Sequence, residues 1–397
     1  MEETVGSRIR AWRRRRDGMS QKLLADLAGV TQSYISVIES GNRPLDRRST
    51  QIAIANALNI SVAQLMGFSA DRTDPLLDRA LKHVPAVRQV LVELSTGERR
   101  APVRGRDELV AAAGEAMQAR STADHASLMP TLPDLLLDLA GSGVAMTPDL
   151  VGVVDAGVYA LKAVGYPDLA RSLIEVVLPT VQEFDSPQWT GQSRYIWVQS
   201  FPPESSALGA KMAMKAADEL QGSPDPEAQQ VYGHLHLMSA LTAAVSLRQD
   251  DARAHLREAE DLAQALGEPQ RIGPIAAGFN GNWFGPTNVG CWRMAVAAEL
   301  GDLSEALAVS DRIDLGAMPV PSRWVYYWTD LARALASAGR DREALHALGK
   351  AERAAPQHFR FNPAARELIH SLMTRAKHRA VGAELSGLAR TLGLDPL

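Results

Sequence analysis

The chain has 397 residues, more than one hydrophobic core usually supports, so at least two folded units are expected. Hydrophobic residues make up 46% and charged residues 22%, a balance that excludes a globally disordered chain. The net charge of -4 hides an asymmetry: residues 1–66 carry ten Lys and Arg against six Asp and Glu, and the other 331 residues carry 32 against 40. A basic head on an acidic body suits a protein whose head alone meets a polyanion.

No apolar run approaches the roughly 20 residues of a membrane-spanning helix. The start, MEETVGSRIR, has acids where a signal peptide would be basic, so a cytoplasmic chain with no membrane contact is expected. The single cysteine, Cys291, excludes an intramolecular disulfide and a Cys-rich zinc site. With no His or Lys beside it in sequence, it reads as a plain buried side chain.

In chain order, a basic amphipathic helix is expected around Val5 to Arg16, and then SQKLLADLAGVTQSYISVIESGNRP announces two short helices. Ser20 can cap the segment Gln21 to Ala28 and Thr31 the segment Gln32 to Ser40, with Gly29 making the tight turn between them. Small Ala25 permits a close crossing, and Leu24, Ala28, Val30, Ile35 and Ile38 face inward. The opposite face of the second helix then presents Gln32, Ser33, Ser36 and Val37, with Thr31 and Tyr34 at its edges. Glutamine can pair bidentately with adenine in the major groove, and hydroxyls or methyl groups read other base edges. The Arg13 to Arg16 run fits a solvated face as well as it fits phosphate contacts.

These residues, with Glu39, Gly41 and Arg43, resemble the Xre/Cro/C1 helix-turn-helix family, and Ile52, Ile54, Ala55, Leu58, Ile60, Val62 and Leu65 resemble its two closing helices. The resemblance implies a five-helix repressor-like domain over residues 1–66. It implies a phosphate contact for Gln21, base contacts for Gln32, Ser33 and Ser36, and flanking phosphates for Arg43, Arg47 and Arg48.

Residues 67–75, within MGFSADRTDP, read as a linker. From 76 to 397, apolar residues recur at three- and four-residue spacing and no alternating strand pattern occurs, so the whole fold is expected to be all-α. Residues 325–358 resemble a tetratricopeptide repeat, with Trp328, Leu331, Ala332, Leu335, Gly339, Ala344, Leu348, Ala351 and Pro356 at its packing positions. Weaker turn-plus-alanine copies stand at Gly165/Ala170, Gln249/Ala254 and Gly301/Ala306. A tetratricopeptide-like α-solenoid with a concave inner wall is the expected architecture. Together with VPAVRQVL, WFGPTNV, VAAELGD and RAAPQHFRFNP, the 76–397 segment resembles the actinobacterial regulators in which such a reading domain precedes helical repeats.

Six of the seven tryptophans lie beyond residue 188. Trp197, Trp292, and Trp283 with Phe284 in a Gly/Asn-rich loop are candidate ligand contacts; Arg194, Arg248, Arg323 and Asn288 are candidate polar anchors. Trp328 belongs to the repeat core instead. His234 and His236, two apart, point to different sides of a helix and make no metal pair. No phosphate-cradling loop, nucleophile elbow or HExxH occurs, so no enzyme, cofactor or metal is expected.

The expected function is a sequence-specific transcriptional regulator whose repeats bind a small molecule or peptide and mediate homodimerisation on palindromic operator DNA. The alternative is a DNA-binding scaffold or antitoxin-like protein whose repeats hold a protein partner.

Overall fold

Thr4 opens helix α1 (Val5–Arg15), its hydroxyl accepting the Ser7 N–H at 3.0 Å. Ser20 does the same for α2 (Gln21–Ala28) and Thr31 for α3 (Gln32–Glu39), each oxygen satisfying one of the free donors of a helix start. Gly29 closes α2 at φ 64°, ψ 32°, the left-handed turn that a side chain would resist. Helix α4 (Arg48–Ala57) and α5 (Val62–Met66), the latter with a Ser61/Gln64 capping box, complete the five-helix domain. Ile9, Leu24, Ile35, Ile38, Ile54, Leu58 and Leu65 form its core, each fully shielded from solvent. Val30 and Tyr34 are only half-buried at its edge.

The computed structural model describes residues 4–16, 18–67, 74–269, 278–376 and 383–394. Of the expected linker, residues 68–73 lie outside the described residues, as do residues 270–277. Every regular element among the described residues is a helix, as the period of the apolar pattern requires.

Beyond residue 74 the helices pair with their sequence neighbours: Ser206–Asp218 with Pro226–Val245, the latter with Gln249–Leu266, Pro286–Leu300 with Leu303–Ser310, and Pro321–Ser337 with Asp341–Ala354. In the last pair Ala332, Ala344 and Ala351 are all at 0% exposure and Gly339 turns at φ 77°, which lets the two helices approach closely. Trp328 is half-buried, its ring covered by the Lys350 ammonium at 4.3 Å. Ala170 and Ala306 are buried as expected, but Ala254 is exposed. There Leu247, at φ 58°, makes the turn, and Ala252 packs in its place.

Three apolar cores follow one another along the chain, as stacked helix pairs produce: residues 77–196, 195–296, and 283–394 with Ala123. The stack curls until its early and late helices touch. Arg120 Nη2 donates to Asn282 Oδ1 at 2.6 Å, Asn280 Nδ2 to Asp155 Oδ2 at 2.9 Å, and the Ala126 N–H to Gln357 Oε1 at 2.9 Å. One expectation is corrected here: Val144–Ala163 has 20 residues and a mean hydropathy of 1.4, long and apolar enough to cross a membrane. Its most apolar window is 72% buried, because this helix is wrapped by its neighbours in the first core.

Candidate DNA-reading helix and the cavity behind it

Helix α3 leaves Gln32, Ser33, Ser36 and Val37 exposed, while Ile35 and Ile38 pin its other face to the core. Thr31 and Ser33 share a hydroxyl contact of 3.1 Å at its start. The Arg43 guanidinium lies 5.0 Å over the Tyr34 ring, which fixes an exposed cation beside the reading face.

The end of α3 is held from below by a buried carboxylate. Glu39, with a side chain 1% exposed, accepts from Arg13 Nε at 2.7 Å, Arg13 Nη2 at 2.9 Å and Gln21 Nε2 at 2.9 Å. Arg10 adds a contact of 3.5 Å. Burial pushes the Glu39 carboxyl up, but the hydrogen bonds from Arg13 and Gln21 and the nearby positive charges outweigh it and hold the group below its ordinary value. Arg13 is therefore an internal strut, and Gln21 is committed to Glu39 in this structure. Sequence reading had no signal for this hub, whose members are 26 and 18 residues apart. Gly6 completes the joint: a Cβ there would lie 2.2 Å from the Ile38 carbonyl oxygen, so α1 can cross the end of α3 only without a side chain.

Three helix starts of this domain are capped from the body. Arg47, the residue before α4, offers no side-chain cap, and Glu299 supplies one: it accepts the Ser49 N–H at 3.0 Å and stands 3.7 Å from Arg48. Glu204 accepts the Val62 N–H at 2.6 Å at the start of α5, and Glu367 accepts the Val5 N–H at 3.4 Å at the start of α1. Glu299 and Glu204 place carboxylates at the positive ends of α4 and α5, Glu367 places an acceptor oxygen at that of α1, and together they fix the domain's orientation on the body. Ser337 also donates to Asp46 Oδ2 at 2.9 Å. Thus Arg48 is engaged with the body, and the Arg47 guanidinium lies against Gly301, where a Cβ would come within 2.2 Å of it.

Burial pushes the Glu367 carboxyl up to about 7, against the opposing pull of the Val5 N–H and Arg8. A carboxyl raised in the docked state favours that state while protonated, and this contribution is lost as pH rises through about 7. Glu367→Gln, which keeps an acceptor without the charge, is expected to raise the melting temperature at pH 8 and leave it nearly unchanged near pH 4, below the ordinary glutamate value. Equal shifts at the two pH values would show that the carboxyl does not titrate there.

Between α4, α5 and the inner wall of the body lies a cavity of about 560 Å3. Arg48, Gln51, Ser61 and Val62 form its roof; Tyr159, Lys162, Tyr195, His234, Trp292, Arg323 and Tyr326 form much of its floor. His234 is 4% exposed, and neither ring nitrogen has a hydrogen-bond partner among the described residues. Burial, with Arg323 and Arg120 nearby, pushes it down to about 3, so the ring is neutral at physiological pH. Trp292 Nε1 is likewise buried without a partner. The Arg323 guanidinium sits 5.2 Å over the Trp292 ring and 5.9 Å over that of Tyr326, and its Nε donates to Asn288 Oδ1 at 3.2 Å.

Of the ligand residues expected from sequence, Trp283, Asn288, Trp292 and Arg323 line this cavity. The other four do not, and each has a structural reason. Phe284 is 1% exposed beneath Gly233, where a Cβ would meet its ring at 2.0 Å, and it backs His234 at 5.3 Å. Trp197 donates to Glu175 at 3.2 Å and carries Arg194 over its ring at 5.7 Å, so this pair faces away from the cavity. Arg248 is exposed and paired with Asp251 at 2.9 Å. The floor residues Tyr159 and Lys162 went unmarked, although a lysine inside the apolar helix Thr147–Ala163 is a cue. The two-residue spacing of His234 and His236 gives no cue to the place of His234 in this floor. Among the described residues no group of three or more His, Cys, Asp or Glu side chains is placed to hold a metal ion. Burial pushes the Cys291 thiol up to about 12, which leaves it unreactive.

An exposed, capped α3 behind the αL turn at Gly29, set on a five-helix core, defines a helix-turn-helix domain, and with it the class of DNA-binding transcriptional regulators. Residues 4–66 match the family model described as a helix-turn-helix domain. No curated protein matches the chain. Among solved structures, Bacillus thuringiensis PlcR in complex with the peptide PapR7 and DNA is similar to it at 15% identity, with 67% of this chain and 96% of that one covered, and a TM-score of 0.26.

Proposed function

We propose that the chain is an intracellular transcriptional regulator without catalytic activity, in which α3 reads duplex DNA from the major groove and the interdomain cavity receives an effector. One observation carries the coupling: Arg48, Ser61 and Val62, beside the Glu299 and Glu204 caps, are also the roof of the cavity. A molecule that fills the cavity cannot be indifferent to how the reading domain is seated. It shifts DNA affinity by the difference between its affinities for the seated and released arrangements. A homodimer with two α3 helices about 34 to 36 Å apart would read a palindromic operator.

Selection from a random duplex library with the purified full chain tests this. Enrichment of an inverted repeat, bound well above random competitor at physiological salt, is expected. Absence of any duplex preference ends the reading, and a stable complex with a cellular protein on an unselected duplex would favour the scaffold alternative. The enriched duplex then serves to detect effectors, since a genuine one changes its affinity.

A further inference from the structure

We infer that the cavity takes an organic anion of small size: a flat, largely apolar framework carrying one acidic group. This rests on the effector reading above and deepens it.

Charge gives the first argument. Most cations around the cavity are neutralised by a carboxylate: Arg48 by Glu299 at 3.7 Å, Arg120 by Asp155 at 3.1 Å, Arg333 by Asp330 at 2.7 Å. Lys162 and Arg323 are not; among the described residues no carboxylate reaches either within 4.0 Å, and their partners are the Gln199 carbonyl and the Asn288 amide. Asp155, paired with Arg120, supports the charge on Lys162 only from beyond ion-pair distance. Two cations held in a largely buried wall with no directly paired carboxylate are costly, and an incoming anion relieves that cost. The roof does not cancel them. Asp46 takes the Ser337 hydroxyl on Oδ2 and stands beside Arg333, though its Oδ1 is buried without a hydrogen-bond partner, and Glu204 is spent on the Val62 N–H.

Hydrogen-bond sense gives the second. The ammonium, the guanidinium and the Trp292 N–H can only donate, and neutral His234 offers one donor and one acceptor. A ligand that satisfies this floor is therefore rich in acceptors, as a carboxylate or a phosphate ester is.

Shape gives the third. Tyr159 and Tyr326 stand with ring centroids 6.4 Å apart, and the faces of Trp292 and Tyr326 are each covered by Arg323. Lys162 follows Tyr159 by one turn, and Arg323 precedes Tyr326 by one turn, so the two unneutralised cations flank the ring pair. About 560 Å3 is the size of cavity that holds a drug-sized molecule.

The test uses two fluorescent probes on the full chain: 8-anilinonaphthalene-1-sulfonate, flat and anionic, and its uncharged counterpart N-phenyl-1-naphthylamine. The anion is expected to bind saturably, one per chain, and at least about tenfold more tightly than the neutral probe. Arg323→Met and Lys162→Met should each remove most of that preference while the neutral probe's affinity stays within about twofold; Arg248→Met, far from the cavity, should change neither. The wild-type ratio decides the matter even if a variant folds poorly, and thermal melting identifies such a variant. Equal affinity for the two probes, or an anion preference untouched by a folded Arg323→Met, overturns the assignment. A chain that prefers its selected duplex yet treats the probes alike would keep the regulator reading and lose this one.

Discussion

Glu39→Ala is expected to abolish DNA binding on every duplex by unseating α3 from its own domain. The carboxylate is 1% exposed, and both its oxygens are used by Arg13, with Gln21 and Arg10 behind. Removing it leaves Arg13, 11% exposed, without its counter-charge, a defect of about 3 to 5 kcal/mol when a buried pair loses one member. A domain of some sixty residues has little more than that to lose. Thermal melting and far-ultraviolet circular dichroism of the full chain would show the domain's transition drop. An unchanged transition would mean that the body's glutamate caps hold the domain alone. Glu39→Gln, which preserves shape, should fall between the two. The acid dependence has a definite sign: the folded carboxyl is depressed, so its contribution is complete above the ordinary glutamate range and is lost as pH falls through the depressed value. The wild-type domain should therefore outlast both variants most clearly near neutrality, with the gap closing in acid.

Gln32→Ala should leave the melting transition where it is, because the side chain is exposed and packs on nothing, yet cost roughly 1 to 3 kcal/mol on the selected site. That is about a 5- to 150-fold loss, confined to one base position, where preference should relax. Arg43→Ala offers the contrast, since a phosphate contact weakens all sequences alike and lowers the salt dependence by about one counterion. Binding curves on the selected duplex and on single-base variants separate the two patterns. A uniform loss for Gln32→Ala would move that residue from the base edges to the backbone.

The reading domain was legible because its signals are local. Ser20 and Thr31 are caps, Gly29 sits at φ 64°, and Leu24, Ile35 and Ile38 alternate with exposed polar residues within twenty positions. Its electrostatic interior was not. Arg13 looks in sequence like one of four equal basic residues, and only packing separates it from Arg14 and Arg15. Half of the expected ligand residues fell on the cavity wall for a similar reason. Aromatic identity marked Trp292, but nothing in sequence distinguishes the side of Pro187–Gln199 that carries Tyr195 from the one that carries Trp197.

Residue periodicity, caps and turn glycines were enough to determine an all-helical chain with a small basic reading head and a long paired-helix body, since each depends on neighbours within a turn or two. The seating of that head on Glu204, Glu299 and Glu367, and the cavity walled by residues from Asp46 to Ala364, were decided by tertiary structure. An apolar stripe tells a helix which face to bury but not which distant partner will cover it. Lys162 and His234 therefore came to line one cavity only when the body curled far enough for its early and late helices to meet.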